Sequence, residues 1–583
     1  MSGREMFDIW YAKLPEEQKR ELELIKDNEN EIKERFSIPL AFGTAGMRGE
    51  VGIGTFRMNN YTVARATKGL AMFVRSLGAE AMERGVVISY DTRRGSYEFA
   101  KTVAKVLSYN KVKSYVFENV HPVPMCSFAV RYLNAIAGVM ITASHNPKEY
   151  NGYKVYGEDG AQMSPEDTAV VVKYISAIDD YFGVEADDAA FPESIRGLDN
   201  YKVNDYITVI GKTVDDEYYA AIEKLSLSPE AVKKYGKDIK LVYTPIHGSG
   251  YIPVTTILAR MGINVTCVKE QVEPDTEFRT VPVPNPENPG ALEMGIELGN
   301  RIGADVVIGT DPDCDRMGVA VRGLDGGFSL LNGNQIGVLL TDYILSRNLA
   351  RGTLPKNAAI VKTIVTTALV DKVAASYGAA VFDVLTGFKF IGEKIKEWEE
   401  NGEHTFMFGF EESYGFLSGT HARDKDAVVA CMLFSEMECF YKSRGTSVAA
   451  RLNEIYGKFG YFFEKSVSVV YGGLDGMSRM KAIMEKLRAT KIEEVAGFKA
   501  AAVSDFLARV TTFSPGARQA ITLPKTNAIK IILENGDWLC VRPSGTEPKL
   551  KIYASASALS MPEAAQKADV YLSTLSSLCS SDK

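Results

Sequence analysis

Nowhere in the chain do apolar residues run to the roughly 18 that a membrane span requires, so no membrane partner is expected. Met1 to Trp10 carries no apolar core either, and no secretory leader is read there. Cysteine is sparse. The seven residues, Cys126, Cys267, Cys314, Cys431, Cys439, Cys540 and Cys579, are odd in number and lack a CxxC spacing, which argues against a disulfide framework and a zinc site alike. A reducing, cytoplasmic setting is the natural home for such a chain. Positive charge is also in deficit: 67 Lys and Arg against 74 Asp and Glu leave a formal net charge of -7. No broad basic face for nucleic acid is therefore expected, although a local basic pocket remains compatible. The P-loop pattern GxxxxGK[ST] does not occur, so any phosphate chemistry must be built differently.

What is present is a long soluble chain with strand-ending loops rich in chemistry. Its 583 residues exceed one core and fit roughly three to five domains. Ala135 to Ile141 is apolar and β-branched enough for a buried strand. It runs into Thr142-Ala143-Ser144-His145-Asn146-Pro147, where Asn146-Pro147 cannot continue it. Ser144 is thus expected at the carboxyl end of a strand, where open α/β sheets bind ligands.

Taken in order, Glu16 to Glu34 reads as a solvated helix. Phe42 to Glu50 follows, with Gly43, Gly46 and Gly49 able to approach a ligand and Arg48 able to fork onto a phosphate. Asp91 and Arg93, after a strand at Gly85 to Tyr90, read as a structural ion pair that holds a loop. Asn151-Gly152 is a turn signal, and Lys154 returns from it close to Ser144. The acidic stretch Ile178 to Asp199 is the first candidate boundary.

A strand at Ala304 to Ile308 leads into Gly309-Thr310-Asp311-Pro312-Asp313-Cys314-Asp315-Arg316. Three aspartates at alternate positions repel unless something neutralises them, and an all-oxygen set selects a hard divalent cation such as Mg²⁺. An EF-hand is excluded, because no glutamate closes a 12-residue loop. Strands at Ala359 to Val365 and Ala380 to Val384 precede Leu385-Thr386-Gly387-Phe388-Lys389. A strand at Thr405 to Phe410 opens onto Glu411-Glu412-Ser413-Tyr414-Gly415. Its carboxylates suit sugar hydroxyls or, equally, the first turn of a helix. Near the end, Arg542-Pro543-Ser544-Gly545-Thr546-Glu547-Pro548, between two strands, has the composition of a phosphate cradle.

TASHNP, GTDPDCDR, GFEESYG and RPSGTEP, in this order, resemble the motifs of the α-D-phosphohexomutase superfamily over Phe42 to Tyr553. The Glu-Glu-Ser form of the third loop is similar to the bacterial phosphoglucomutase and phosphopentomutase-like branch. The resemblance implies four domains around a central cleft, three α/β with mixed sheets and a smaller C-terminal α+β domain. The expected bounds are 1–205, 206–325, 326–455 and 456–583. It also implies a phosphoserine at Ser144 and one Mg²⁺ per chain held by Ser144, Asp311, Asp313 and Asp315. Arg48, His145, Lys154 and Lys389 stand with the catalytic group, either Lys154 or Lys389 serving as general acid and base.

The implied substrate contacts are Thr44, Arg316, Thr386, Gly387, Glu411, Ser413, Arg542, Ser544, Gly545 and Thr546. Phe388 stands where relatives often carry Trp or His. The implied activity interconverts glucose 1-phosphate and glucose 6-phosphate through glucose 1,6-bisphosphate, with phosphopentomutase or phosphomannomutase activity as alternatives. A phosphatase or a silent phosphosugar-binding protein would be of another class. Partners are small sugar phosphates, with a monomer or small homo-oligomer expected.

Overall fold

The computed structural model describes residues 2–43, 46–471, 476–543 and 549–580. The chain divides into two compact units. One comprises Met1–Gly333 and Ile391–Ser447, the other Asn334–Phe390 and Val448–Lys583.

The first unit begins with a correction. Where one solvated helix is expected over Glu16 to Glu34, there are two short helices, Glu16–Glu23 and Glu29–Phe36, preceded by a third, Gly3–Lys13. They bury Phe7, Trp10, Leu22, Ile32 and Phe36 against Ile53 and Tyr181. Helices of 8 to 11 residues are below the length that is stable alone in water, so the shared aromatic core holds them. Asn28 restarts the chain by accepting the Glu31 N–H at 3.2 Å.

Seven strands follow in the first sheet: β1 (Gly46–Glu50), β2 (Val86–Tyr90), β3 (Ser114–Phe117), β4 (Ala137–Ile141), β5 (Tyr150–Gly157), β6 (Tyr201–Lys202) and β7 (Ile207–Ile210). Their order is β1-β5-β4-β2-β3-β7-β6, with β4, β2, β3 and β7 parallel. The order of strand connection reverses at β2, because β3 is added on one side of it and β4 on the other. The carboxyl ends of β2 and β4 meet there, with Tyr90 opposite Ile141. Asp91 and the Ser144 loop therefore emerge side by side at a topological switch point, the usual ligand position of such sheets.

Asn151-Gly152 is not a turn. It lies within β5, where Gly152 pairs with Arg48 of β1. A Cβ on Gly152 would come 2.5 Å from the Thr142 carbonyl oxygen and 3.0 Å from that of Met47. The glycine serves close passage between two neighbouring strands, a use that composition does not separate from a turn.

The second sheet repeats the logic with β8 (Leu241–Thr244), β9 (Val265–Cys267), β10 (Val306–Thr310), β11 (Met317–Arg322) and β12 (Phe328–Leu331) in the order β12-β11-β10-β8-β9. Strand β8 pairs in parallel with both β9 and β10, so the loops after β8 and β10 share the carboxyl edge. Those loops are Thr244 to Gly250 and the acidic run from Asp311. The hairpin of strands Thr405–Phe410 and Phe416–Ser418 brings the Glu411 turn to the same unit.

In the second unit, strands Ala358–Thr363 and Ala380–Val384 pair in parallel. Eight antiparallel strands between Tyr461 and Ala558 form the C-terminal sheet. Helices Gly476–Ala489 and Met561–Ser580 add Met484, Leu487, Tyr571 and Leu575 to its core with Ile531, Leu539 and Ile552. Three α/β regions and a C-terminal α+β region, as expected, make up the fold. All seven cysteines are free thiols, and no helix among the described residues is long and apolar enough to cross a membrane.

Candidate active site

Ser144 sits one turn beyond β4 with a positive φ of 53°. This conformation costs a residue with a Cβ on the order of 1 to 2 kcal/mol and persists only where its surroundings enforce it. Here the enforcement is visible. The Ser144 N–H donates to Thr142 Oγ1 at 2.8 Å, and its carbonyl accepts from Arg93 Nη2. The hydroxyl is thereby turned toward the second sheet. It donates to Asp311 Oδ2 at 3.0 Å and lies 3.2 Å from His145 Nδ1.

Asp311, Asp313 and Asp315 converge. One oxygen from each lies within 4.8 Å of the other two, and the residues are 0, 0 and 1 % exposed. Their loop is fastened from several sides. Asp311 Oδ1 accepts the N–H groups of Asp315 (3.0 Å) and Arg316 (2.9 Å). The Asp313 carbonyl accepts from Val123 N, and the Pro312 carbonyl accepts both the N–H and the hydroxyl of Ser249. That last contact belongs to the Thr244–Gly250 loop, where Ile246 and His247 both have positive φ. His247 ties the loop down through Glu273 O at 2.9 Å and Thr280 Oγ1 at 2.8 Å.

Charge is unevenly met in this cluster. Lys154 Nζ lies 2.8 Å from Asp313 Oδ2 and 3.6 Å from Asp315 Oδ2, while Lys425 Nζ lies 3.1 Å from Asp315 Oδ2. Burial opposes both ammonium groups, but the aspartates outweigh it and hold each pKa above the ordinary lysine value. Burial raises the Asp315 carboxyl too, yet Lys425 and Lys154 bring it below the usual range. Asp311 goes the other way, pushed well up by burial and then by Asp313 and Asp315. His145 is driven down to about 2 by burial and by Arg316 and Arg48, so its imidazole is neutral at physiological pH.

The donor set fits a hard divalent cation. Asp313 Oδ1 and Asp315 Oδ1 are buried with no hydrogen-bond partner among the described residues, and such oxygens are costly unless something coordinates them. Every candidate ligand is an oxygen, as Mg²⁺ prefers.

The Glu411 turn is joined to the acidic loop by backbone. Met317 N donates to Tyr414 O at 3.1 Å, and Arg316 bridges Gly415. The turn closes on itself through Glu411 N to Gly415 O at 2.9 Å, with Tyr414 at a φ of 69°, so Glu411 and Glu412 start no helix. Lys425 packs against this turn: a Cβ on Gly415 would come 2.2 Å from Lys425 Cδ. The lysine thus spans from the Glu411 turn to the acidic loop. Arg48 donates to Asn146 Oδ1 at 2.8 Å. Arg316 Nε is buried without a hydrogen-bond partner among the described residues, and Arg316 Nη1 lies 3.8 Å from Glu287.

Models of four phosphoglucomutase/phosphomannomutase domains match the chain in sequence: α/β/α domain I over residues 39–182, domain II over 216–326, domain III over 332–459 and the C-terminal domain over 480–569. The phosphoglucomutase of Staphylococcus epidermidis is 38% identical over 552 residues, spanning 93% of this chain and 96% of that protein. The chain belongs to the phosphoglucomutase/phosphomannomutase family. It is accordingly an intramolecular phosphotransferase of the α-D-phosphohexomutase superfamily. The phosphoglucomutase of Staphylococcus aureus strain USA300 is 36% identical over 540 residues, 92% of this chain and 93% of that one. An open-form phosphoglucomutase from Paramecium shares the fold at a TM-score of 0.67 and 17% identity, covering 93% of this chain and 96% of its own.

Of the residues singled out in the sequence, the structure gathers Ser144, His145, Arg48, Lys154, Asp311, Asp313, Asp315, Arg316, Glu411 and Ser413 in the first unit of this family member. Thr386, Gly387, Lys389 and Arg542 belong to the second, where Arg542 Nη1 donates to Thr386 Oγ1 and the Lys389 ammonium lies 4.8 Å from the centre of the Phe390 ring. Phe388 is buried there. Thr44, Ser544, Gly545 and Thr546 lie outside the described residues.

Lys425 is the residue that sequence reading missed. It sits in Arg423-Asp424-Lys425-Asp426, and all four of these charged side chains are buried. Asp424 holds Lys425 Nζ at 2.9 Å and is itself held by Tyr156 OH at 3.0 Å. Asp426 accepts from Tyr218 OH and His421 Nε2 and caps the helix Ala427–Ser443. A signal was available. Four charges with no gap before a 17-residue apolar helix are difficult to solvate.

Proposed function

We propose that the chain interconverts glucose 1-phosphate and glucose 6-phosphate, with Ser144 as the phosphoryl carrier. The observation that carries this reading is the Ser144 hydroxyl held 3.0 Å from the buried acidic cluster in an enforced conformation. In the first half-reaction the Oγ–P bond of phospho-Ser144 breaks as the sugar hydroxyl forms a new O–P bond, giving glucose 1,6-bisphosphate. The hydroxyl proton passes to a base. In the second half, the other phosphate returns to Ser144 Oγ, and a proton goes to the sugar oxygen that loses it. Mg²⁺, held by Asp311, Asp313, Asp315 and the serine oxygen, would supply charge neutralisation on the transferring group.

The chain's own cations surround the serine. Lys154 and Arg316 add positive charge beside the acidic loop, and Arg48 is tethered to the serine loop through Asn146. Lys425, packed against the Glu411 turn with its ammonium 3.1 Å from Asp315 Oδ2, adds a further positive charge, and either Lys154 or Lys389 takes up the hydroxyl proton in the first half-reaction and returns it in the second. Glu411 and Ser413 accept or donate to ring hydroxyls, while Arg542 and Thr386 hold the phosphate that is not reacting. With these contacts the substrates are small sugar phosphates, and the enzyme works in the cytoplasm.

The test is direct. Purified protein with Mg²⁺, a trace of glucose 1,6-bisphosphate and glucose 1-phosphate should form glucose 6-phosphate, and stoichiometric release of inorganic phosphate instead would make it a phosphatase. A second expectation concerns choice of sugar. Glucose 1-phosphate should be used in preference to mannose 1-phosphate and ribose 1-phosphate. Glu411→Gln should cut kcat/KM for glucose 1-phosphate about 10- to 100-fold, the worth of a charged hydrogen bond of roughly 1.5 to 3 kcal/mol, and narrow the gap to mannose 1-phosphate. Equal wild-type kcat/KM for all three sugars would mean that the Glu411 turn does not select.

A further inference from the structure

Arg93 lies beside the Ser144 loop, bonded to the Ser144 carbonyl and paired with Asp91. Its side chain is 0 % exposed, and Nε lies 3.3 Å from Asp91 Oδ2. Asp91 is itself fixed, since its Oδ1 accepts the Arg93 N–H at 2.9 Å and the Ser96 hydroxyl at 2.7 Å. The far end of the guanidinium points at four main-chain carbonyls. Nη1 donates to Pro147 O at 2.8 Å and Tyr150 O at 3.1 Å. Nη2 donates to Ser144 O and to Asn146 O at 2.6 Å. The Phe278 ring, from the second α/β region, lies 5.3 Å from the guanidinium carbon. One planar group thus gathers the carbonyls of a seven-residue loop onto a single buried point.

We infer that Arg93 is a positioning residue for phosphoryl transfer, locking Ser144 in its left-handed conformation so that Oγ is aimed at the acidic cluster. The inference rests on the reading of Ser144 as the phosphoryl carrier. The chemistry of the clamp explains the residue type. Four carbonyls arrayed in one loop need a rigid fork with donors on both terminal nitrogens, and an ammonium offers three donors from one point. Without the fork, the Ser144 carbonyl loses its tie and only the N–H bond to Thr142 Oγ1 is left, among the described contacts, to oppose relaxation from a φ that serine does not favour. Arg93 touches no reacting atom. Its loss should therefore slow the chemical step without weakening binding of the sugar phosphate.

The experiment compares Arg93→Lys with wild type, because lysine keeps the charge opposite Asp91 and removes the planar fork. A misplacement of about 1 Å at a reacting group costs on the order of 100-fold. The variant should thus lose about 100-fold in kcat, keep KM for glucose 1-phosphate within about twofold, and melt as one transition. Transfer of ³²P from labelled glucose 1,6-bisphosphate to the Ser144 peptide should slow to the same degree. Should Arg93→Lys fail to fold, the double variant Asp91→Asn with Arg93→Gln removes both buried charges, keeps one planar amide donor group, and carries the same expectation. Wild-type kcat and labelling rate in a folded variant would overturn the inference. So would a fall in folded fraction that accounts for all of the lost activity. Absence of label from the Ser144 peptide of the wild-type enzyme would instead remove the underlying reading of Ser144, a separate outcome.

Discussion

Ser144→Ala should lower turnover of glucose 1-phosphate by on the order of 10⁴-fold or more while leaving the protein folded. The substitution removes the only atom that can carry the phosphoryl group in the proposed mechanism, so no rearrangement of neighbours restores a two-step transfer. The structural cost is small by comparison. The hydroxyl makes contacts to Asp311 and His145, worth about 1 kcal/mol each, and the left-handed φ is held by backbone contacts that alanine keeps. A melting temperature within a few degrees of wild type is expected. Ser144→Gly makes a useful companion, because glycine takes a φ of 53° freely and should be equally inactive. Residual turnover within tenfold of wild type, with bisphosphate exchange intact, would place the carrier elsewhere.

Much of this site was legible because each half of it is a local event. A β-branched run that ends in Asn-Pro specifies a strand end without knowledge of the rest, and Ser144 lies where that reading puts it. Alternate aspartates in one loop are a local electrostatic problem, and their convergence follows from the loop alone. What was not legible depends on packing between distant segments. Asn151-Gly152 carries the composition of a turn, but the glycine answers the close approach of Thr142 and Met47, which are near only in the folded sheet. The run Arg423 to Asp426 is held by partners from three other segments, Tyr156 and Tyr218 donating to Asp424 and Asp426 and Asp315 pairing with Lys425. The Asp91–Arg93 pair was legible as an ion pair, but the four carbonyls that the arginine gathers carry no side-chain identity that a sequence could announce. The N-terminal helices are misread for a related reason. Their few apolar residues look insufficient one helix at a time, and become a core only when Trp10, Phe36 and Tyr181 meet.

The second large effect is expected at Asp313, the member of the acidic cluster that faces Lys154. Asp313→Asn keeps size and shape and removes one charge, so it separates metal binding from packing. In wild type, Asp313 has one oxygen on Lys154 at 2.8 Å and the other buried without a partner among the described residues. An amide in its place cannot offer two anionic oxygens. The remaining pair, Asp311 and Asp315, offers fewer anionic oxygens to the cation and so binds it more weakly. Activity at a fixed, moderate Mg²⁺ concentration should fall on the order of 10³-fold or more, and raising Mg²⁺ should recover part of it.

The independent readout is thermal. A ligand that binds only the folded state stabilises it by RT ln(1 + [L]/Kd), so Mg²⁺ at about 100 times Kd should contribute about 2.7 kcal/mol to the wild-type protein. The same addition to Asp313→Asn should move the melting temperature little. Without metal the two proteins should melt close together, because the variant loses an ion pair with Lys154 but also two repulsions, with Asp311 and Asp315. Lys154 keeps Asp315 at 3.6 Å as a partner, so it is not left as a lone buried charge. If Asp313→Asn melts far below the metal-free wild type, the aspartate is chiefly the structural partner of Lys154. If the variant instead keeps both wild-type activity and the full rise in melting temperature with Mg²⁺, the acidic loop does not hold the metal.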